Sequence, residues 1–337
     1  MFDLNQRLTL KKQKEFAEYL IDIQNSIDFK ISARGWCYQL EQARVINKDQ
    51  FNKVEEAINN CRKKGLLPVD FIAEETARAF SGIESPSTYT LERVVEWTLD
   101  SVLTGSDNYF TPNWWENEEF YIQVVVEKTD LKTLFEPICR RFHIPIANSK
   151  GWSSVSQRAE YARRFKEAED NGLKCILLYC GDHDPDGLRI SETLRKNLED
   201  VSEVIWADGT SGYDPANLEI QRFGLNLDFI TNNNLSWIDN LITGSGKDLA
   251  DTKHPNHNLQ YVQDYLQDIG ERKCEANAIV VIPSEAREMM REAIEYYLGT
   301  DAEERFEQKT KKIREAYNQI LANTGIRTAI NQAKQRL

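Results

Sequence analysis

Three aspartates, Asp182, Asp184 and Asp186, stand within five residues of the sequence. Asp182 and Asp184 are two residues apart, so their side chains point to the same side of an extended segment. Two carboxylates about 4 Å apart repel by roughly 4 kcal/mol at an effective dielectric near 20, so such a pair needs a cation or keeps one proton. Oxygen ligands favour Mg²⁺ or Mn²⁺ over zinc. The spacing therefore predicts a metal site, and the alternative is a solvated Asp/Pro/Gly turn.

A further carboxylate, Glu127, follows the run Phe-Tyr-Ile-Gln-Val-Val-Val at 120–126, and an apolar run at 175–179 precedes the aspartates. Short apolar runs of this kind are typical of strands buried on both faces of a parallel sheet. Because the carboxyl ends of neighbouring parallel strands share one edge of the sheet, we expect Glu127, Asp182 and Asp184 to converge there. One Glu and an Asp-x-Asp pair around Mg²⁺ predict phosphoryl chemistry, in which the metal neutralises a phosphate and can activate a nucleophile.

The sequence around these carboxylates alternates strand and helix patterns. Strands are predicted at 120–126, 143–147, 174–180 and 203–207, and helices at 130–142, 155–171 and 186–199. This alternation predicts βαβ units and therefore an α/β fold with a parallel sheet. Residues 208–257 are rich in Asn and Gly and predict irregular structure. Helices are expected beyond them, at 258–269, 271–282, 284–298 and 301–323.

The N-terminal region predicts a small helical module. A helix is expected to open after Ser32 and to run to residue 42, and Asp49 is expected to cap a second helix over 50–64. Residues 66–72 predict a short strand. Helix, turn, helix and strand in this order are typical of a winged-helix domain, and the alternative is any small helical domain.

The overall charge of −12 argues by itself against a nucleic-acid-binding protein. Residues 1–64, however, contain twelve Lys/Arg and nine Asp/Glu, a balance of +3, which is weak support for a DNA-binding module there. No run of eighteen apolar residues and no signal-peptide core occurs. Six cysteines without a Cys-x-x-Cys pair predict reduced thiols. We therefore expect a cytoplasmic or other intracellular protein that does not enter a membrane.

Several motifs together resemble one family. Val-Val-Val-Glu-Lys at 124–128 and Asp-His-Asp-Pro-Asp-Gly at 182–187 resemble the TOPRIM domain of topoisomerases, primases and certain nucleases. Ser-Lys-Gly-Trp-Ser at 149–153 and Lys-Cys-Glu-Ala-Asn-Ala at 273–278 are similar to motifs of the topoisomerase VI A subunit and of the meiotic double-strand-break transesterase. The resemblance covers roughly residues 30–280. It implies a winged-helix-like DNA-binding domain at 1–80, a linker and connecting helix at 81–119, a TOPRIM core at 120–210, and irregular structure with C-terminal helices at 211–337.

The same resemblance bears on the nucleophile. The family carries Arg-acid-x-Tyr-Tyr, whose second tyrosine attacks DNA and becomes a 5′-phosphotyrosyl ester. Here Arg34 and Tyr38 match this motif, whereas Gly35 and Cys37 replace the acid and the first tyrosine. The resemblance implies Tyr38 as nucleophile, Arg34 as its partner and Glu127 beside them. It also implies a homodimer in which the tyrosine of one protomer meets the metal of the other, acting on double-stranded DNA. Because no Walker-type loop is present, strand passage would require a separate ATPase subunit.

Two alternatives stay open: a Mg²⁺-dependent hydrolytic nuclease in which Tyr38 is structural, and a non-catalytic DNA-binding module. The protein would be nucleoid-associated if it binds DNA.

Other residues have secondary roles in these hypotheses. Lys128 and Lys150 are expected to contact phosphate, and the basic run Arg62, Lys63 and Lys64 to contact DNA.

Further interpretations remain alternatives at this point. Asp186 is either a ligand of a second metal or the cap of the following helix. Glu275 is either a fourth acid or, as we prefer, a buried structural partner of Arg272 or Lys273. His183 is either a ligand or, as we prefer, a solvated side chain.

Overall fold

The strands form a single parallel sheet. The computed structural model describes residues 9–73, 89–105, 111–149, 154–242 and 246–337. Four parallel strands lie in the order β2-β1-β3-β4. They are β1 (Phe120–Val126), β2 (Ile146–Asn148), β3 (Lys174–Cys180) and β4 (Glu219–Arg222).

Helices account for most of the remaining regular structure, and those of the N-terminal and central parts of the chain flank the sheet. In chain order they are α1 (Leu10–Gln24), α2 (Ala33–Gln42), α3 (Phe51–Lys63), α4 (Leu91–Leu103), α5 (Thr129–Arg141), α6 (Val155–Asp170), α7 (Pro185–Leu188), α8 (Ile190–Glu199), α9 (Leu227–Asn232), α10 (Gln260–Asp268), α11 (Pro283–Leu298), α12 (Ala302–Thr324) and α13 (Ile326–Lys334). The chain is thus a mixed α/β protein with a Rossmann-like parallel sheet, which confirms the predicted class. None of the described helices is long and apolar enough to cross a membrane.

The two central strands have the predicted bounds. Both are buried along nearly their whole length, because residues on both of their faces are apolar. Their parallel register pairs Val126 with Cys180, so Glu127 and Gly181 leave the sheet side by side. The sheet thereby brings together two segments that are far apart in sequence.

The fourth strand does not lie where the sequence predicted it. Residues 203–207 form no strand; Ile205 makes only an isolated bridge to Ser211 and is 80% exposed. The edge position is taken by β4, inside the stretch expected to be irregular. An edge strand is half-exposed, so the short sequence Glu-Ile-Gln-Arg lacks the apolar run by which a buried strand is recognised. A second correction concerns 271–282, where the regular structure is a 3₁₀ helix over Ala276–Val281.

The N-terminal helices form as predicted, but two details differ. Ser32 caps α2 by accepting a hydrogen bond from the Gly35 N–H. Asp49 does not cap α3. A 3₁₀ turn precedes this helix, and Asn47 and Gln50 form the capping box of that turn. No described residue of 66–72 belongs to a strand, and only Ala73 bridges, to Ser32. The predicted strand of the wing is therefore absent from 66–72, where Phe71 stacks against Trp36 instead.

The chain separates into two compact units. The described residues within 1–74 and 119–297 form the first, which contains the N-terminal helices and the whole sheet. The second comprises described residues within 75–118 and 298–337. In it, Glu118 forms ion pairs with Arg305 and Lys309, and Trp114 and Trp115 pack against Phe306. These tryptophans therefore belong to a packed loop, whereas the linker residues 81–88 and Phe110 lie outside the described residues.

Candidate active site

A cleft of about 1210 Å³ opens in the first unit, at the carboxyl ends of β1 and β3. The strand ends contribute Glu127, Asp182, Asp184 and Asp186 to its lining. The N-terminal helical module contributes Arg34, Tyr38 and Lys48, and the segment before the 3₁₀ helix contributes Lys273 and Glu275. Most of the chemistry-bearing residues that the sequence singled out therefore share one cavity.

Three carboxylates converge on an ammonium group within this cleft. The Nζ atom of Lys128 lies 2.9 Å from Glu127 Oε1, 2.8 Å from Asp182 Oδ2 and 3.7 Å from Glu275 Oε2. The backbone N–H of Asp182 donates to Glu127 Oε2 at 2.8 Å, and that of Ala276 donates to Asp182 Oδ1 at 2.7 Å. Glu127 and Asp182 thus meet as their strand positions predicted, with a lysine between them.

Burial and charge act differently on the members of this cluster. Burial raises the pKa of Asp182 well above its usual range; Lys128 opposes this rise, and the adjacent Glu127 and Glu275 add to it. For Glu127, burial also favours the neutral acid, but Lys128 and the Asp182 N–H outweigh it and lower the pKa. The pKa of Lys128 is raised by its three carboxylates although burial opposes this. Glu127 is therefore the readily ionised acid of the pair.

The other two aspartates have different roles from each other. Asp184 caps α7, because its Oδ1 accepts the Gly187 N–H at 2.6 Å, and burial raises its pKa. Asp186 is exposed and accepts a hydrogen bond from the Tyr261 hydroxyl at 2.9 Å. The cap of the following helix is thus Asp184 and not Asp186.

His183 is buried, which contradicts the expectation of a solvated side chain. It is 4% exposed, and its backbone forms an isolated bridge with Cys274. Its Nδ1 lies 3.1 Å from the Tyr265 hydroxyl, and its ring packs edge-on against Trp237. Burial lowers the pKa of His183 to about 4, so the ring is neutral at pH 7. The apolar run before the loop gave no sign of this, because the partners of His183 come from distant segments.

The donor set of the cleft suits a hard divalent cation, but it is not arranged as a ready cage. Across the described ranges, no group of three His, Cys, Asp or Glu side chains is placed to hold a metal ion. Lys128 occupies the point where the acids converge. The acidic donors of the cleft are carboxylate oxygens, and among the described residues Glu275 Oε2 is buried with no hydrogen-bond partner. The chemistry of these residues therefore fits Mg²⁺ or Mn²⁺.

Tyr38 lies on α2 and faces the cleft. Its ring packs edge-on against Phe51, and the ammonium groups of Lys128 and Lys48 lie 5.3 and 6.0 Å from the ring centroid. Within the described part of the chain, no hydrogen bond engages its hydroxyl. Burial raises the pKa of Tyr38, and Lys128 opposes this only in part. The hydroxyl is thus available to a substrate as a neutral phenol.

Arg34 lines the same cleft, one helical turn before Tyr38. It stacks over Phe51 at 4.6 Å and forms a 3.4 Å ion pair with Glu55. About half of its side chain is exposed. Its guanidinium is therefore held near the tyrosine and can still contact a phosphate.

The two departures from the family's tyrosine motif have structural reasons. A Cβ at Gly35 would collide with the carboxylate of Asp130. Asp130 is buried and accepts hydrogen bonds from the Ser32 N–H at 2.8 Å and from the Ser32 hydroxyl at 3.2 Å. The Cys37 thiol is fully buried, and burial raises its pKa to about 12. Position 35 has no room for an acid, and Cys37 is an inert core thiol.

Glu275 is paired with lysines. Lys273 Nζ lies 2.8 Å and Lys48 Nζ 3.2 Å from its Oε1. Burial would raise the pKa of Glu275, but Lys128, Lys273 and Lys48 outweigh it and lower the pKa to about 2. The pairing with Lys273 agrees with the structural role that we preferred.

Sequence reasoning missed two residues near this cluster, Lys48 and Glu41. Lys48 sits in a turn with no motif. Glu41 is a buried acid on α2 whose pKa burial and Glu275 raise to about 7. The sequence held one signal for Glu41. It is an acid on a helix face whose other side chains are apolar or amides.

The remaining predicted DNA contacts are not gathered in the cleft. Arg62 donates to the Val69 carbonyl, and Lys64 donates to Gln13. Lys63 is exposed at the end of α3. None of these three lines the cavity. Lys150 lies outside the described residues.

Comparisons with family models, with curated proteins and with solved structures found no match for this chain.

Proposed function

We propose that this protein is a Mg²⁺-dependent DNA-cleaving enzyme of the topoisomerase VI A type. One observation carries the proposal: Tyr38, whose hydroxyl is unengaged in the described part of the chain, opens into the same cleft as Glu127 and Asp182. A nucleophile and an acid cluster at parallel strand ends are the parts that phosphoryl transfer requires. The motif resemblance supplies the rest of the proposal, namely a TOPRIM core preceded by a helical DNA-binding domain.

The proposed reaction exchanges one phosphate ester for another. The Tyr38 oxygen forms a bond to phosphorus, and the bond between phosphorus and the 3′ oxygen breaks. The product is a 5′-phosphotyrosyl ester and a free 3′ hydroxyl, and the proton that the 3′ oxygen gains balances the one that the phenol loses. Because burial raises the pKa of Tyr38, the phenol must lose its proton as it attacks. Glu127, whose pKa is lowered, is our candidate for the carboxylate that accepts this proton.

Glu127, Asp182 and Asp184 would hold Mg²⁺, which when bound would neutralise charge on the phosphate. The resemblance adds a homodimer, a separate ATP-hydrolysing subunit and a nucleoid-associated location to the proposal.

The test uses supercoiled plasmid and Mg²⁺, with products resolved before and after protease digestion. We expect the wild type to release linear or nicked DNA only after digestion, because protein stays on the 5′ ends. Tyr38→Phe should lose cleavage by a factor of about 10³ or more, since phenylalanine has no oxygen with which to form the ester. Tyr296→Phe is the matched control, because Tyr296 is 81% exposed, lies outside the cleft and should cleave like the wild type.

A hydrolytic nuclease is the second candidate, and the raised pKa of Tyr38 favours it. Water would then attack the phosphorus, and Tyr38 would only pack in the module. If Tyr38→Phe cleaves at the wild-type rate and no protein remains on the DNA, hydrolysis replaces transesterification. If Asp182→Ala has no effect on any DNA activity, both enzymatic proposals fail.

All the groups named here belong to one chain, whereas the family arrangement divides them between two. Mixing Tyr38→Phe chains with Asp182→Ala chains separates these cases. A site shared between protomers would recover part of the activity in mixed dimers, and a site within one chain would recover none.

A further inference from the structure

The cleft has an acidic side and a basic side, with Tyr38 next to the basic one. Glu127, Asp182 and Asp184 come from the strand ends. On the basic side, Lys48 and Lys273 line the cavity around the single carboxylate of Glu275. A polyanion that enters the cleft is therefore repelled at one side and attracted at the other.

More positive charge surrounds Glu275 than its one carboxylate can neutralise. It is 2% exposed, and three ammonium groups lie within 4 Å of its carboxylate, at 2.8, 3.2 and 3.7 Å. These three ammonium groups face the Glu275 carboxylate, and Glu41, which also interacts with Lys48 and Lys273, is only partly ionised at pH 7 because its pKa is raised to about 7. Positive charge is therefore in excess on this side of the cleft. Lys128 also forms ion pairs with Glu127 and Asp182. The excess therefore remains with Lys48 and Lys273.

Of these two lysines, Lys48 is the one that a ligand can reach. The Lys273 side chain is 4% exposed and also donates to the Ile242 carbonyl. The Lys48 side chain is 32% exposed. It stands on the 3₁₀ turn before α3, where the capping box of Asn47 and Gln50 fixes the backbone. Although burial opposes it, Glu275 raises the pKa of Lys48, so the ammonium stays charged.

The Lys48 ammonium also lies beside the proposed nucleophile. Its Nζ is 6.0 Å from the centroid of the Tyr38 ring, on the same cleft wall. A phosphate that approaches the Tyr38 hydroxyl comes within reach of a lysine side chain at this distance. Of the described carboxylates, Glu275 alone is within ion-pair distance of Lys48, and an ammonium has three donors. Donors are thus left over for phosphate oxygens.

We propose that Lys48 binds the phosphate that Tyr38 attacks, through its non-bridging oxygens, and that Glu275 is the positioning residue that holds Lys48 in place. The inference rests on the proposed function, because it takes the ligand to be a nucleic-acid backbone. It adds a phosphate-binding residue that no motif of the sequence indicated.

The test measures binding of the full-length protein to a 5′-fluorescein DNA duplex in EDTA over a series of KCl concentrations, by fluorescence anisotropy. One lost phosphate contact lowers the slope of log K against log[KCl] by about 0.9. We expect this loss in Lys48→Met, whereas Lys48→Arg should keep the wild-type slope. Lys174→Met is the matched control, because Lys174 is also paired with a glutamate, at 2.7 Å, but at the opposite end of β3. It should leave the slope unchanged.

Stability separates a phosphate contact from a purely structural role. If Lys48 only braces Glu275, Lys48→Met lowers the melting temperature and leaves the salt slope unchanged, which overturns the inference. An equal drop in Lys174→Met, or no DNA binding by the wild type, overturns it too. Should Lys48→Met fail to fold, Lys48→Gln, which can still donate to Glu275, replaces it with the same expected slope.

The two proposals can fail separately. A reduced slope in Lys48→Met together with full cleavage by Tyr38→Phe supports Lys48 and removes the tyrosine mechanism. Covalent cleavage by the wild type together with an unchanged slope in Lys48→Met removes the role of Lys48 alone.

Discussion

Replacing Glu275 by glutamine should destabilise the first unit by about 3 kcal/mol at pH 7. The side chain keeps its size and loses its charge, while Lys273 remains buried beside it at 4% exposure. The pKa of Glu275 is about 2 instead of about 4.5, and each tenfold change in proton affinity corresponds to about 1.4 kcal/mol. The ionised form is therefore stabilised by about 3 kcal/mol. Removal of one partner from a buried ion pair costs about 3–5 kcal/mol in other proteins, which agrees in size.

The direction of the expected pH dependence follows from the lowered pKa of Glu275. The pKa of Glu275 is lower in the folded chain than in the unfolded one, so its contribution is fully present above about pH 4.5 and is lost as the pH falls towards 2. The difference in unfolding free energy between wild type and Glu275→Gln should therefore shrink on acidification.

Urea denaturation followed by circular dichroism at pH 7, 5 and 3.5 measures this difference. Glu119→Gln is the control, because Glu119 forms an exposed pair with Lys174 and such pairs contribute about 0–1 kcal/mol. A loss below about 1 kcal/mol at pH 7 in Glu275→Gln, or a difference that does not change with pH, would refute the reasoning.

Two further substitutions test the packing and charge of α2. Gly35→Ala should lower the unfolding free energy by about 2 kcal/mol or more, because its Cβ would collide with buried Asp130; a change below about 0.5 kcal/mol in urea denaturation would contradict this contact. Glu41→Gln should raise the unfolding free energy by up to about 3 kcal/mol at pH 8 and little at pH 5. The pKa of Glu41 is about 7 in the folded chain and about 4.5 in the unfolded one, so the cost of this acid to folding builds up as the pH rises from 4.5 to 7. An equal effect at both pH values would argue against a buried acid.

The central sheet and its acids were predictable from the sequence because their signals are local. The strands β1 and β3 are apolar runs with clear ends, and the parallel register then places Glu127 beside the aspartate loop. The cap of α2 at Ser32 was likewise readable from the residues around it. Each of these features depends on neighbours in the chain.

The features that escaped prediction depend on distant partners. Lys128 was expected to meet phosphate, but it is held by acids from three segments. His183 is buried because Tyr265 and Trp237 close over it. Lys48 gains its role only when Glu275, more than two hundred residues away in the chain, lies beside it. Sequence spacing carries no information on such contacts.

The acidic loop keeps the alternation of a strand beyond the end of β3. Asp182 and Asp184 line the cleft, whereas His183, between them, points into the protein and bridges to Cys274. Successive side chains of the loop therefore point to opposite sides, as they do in a β-strand. Substitution of one residue changes one position, but insertion or deletion of a single residue before His183 would exchange the two sides at once. The imidazole would enter the cleft, and a carboxylate would be forced into the buried position beside Trp237 and Tyr265. In this loop, length is constrained as strictly as composition.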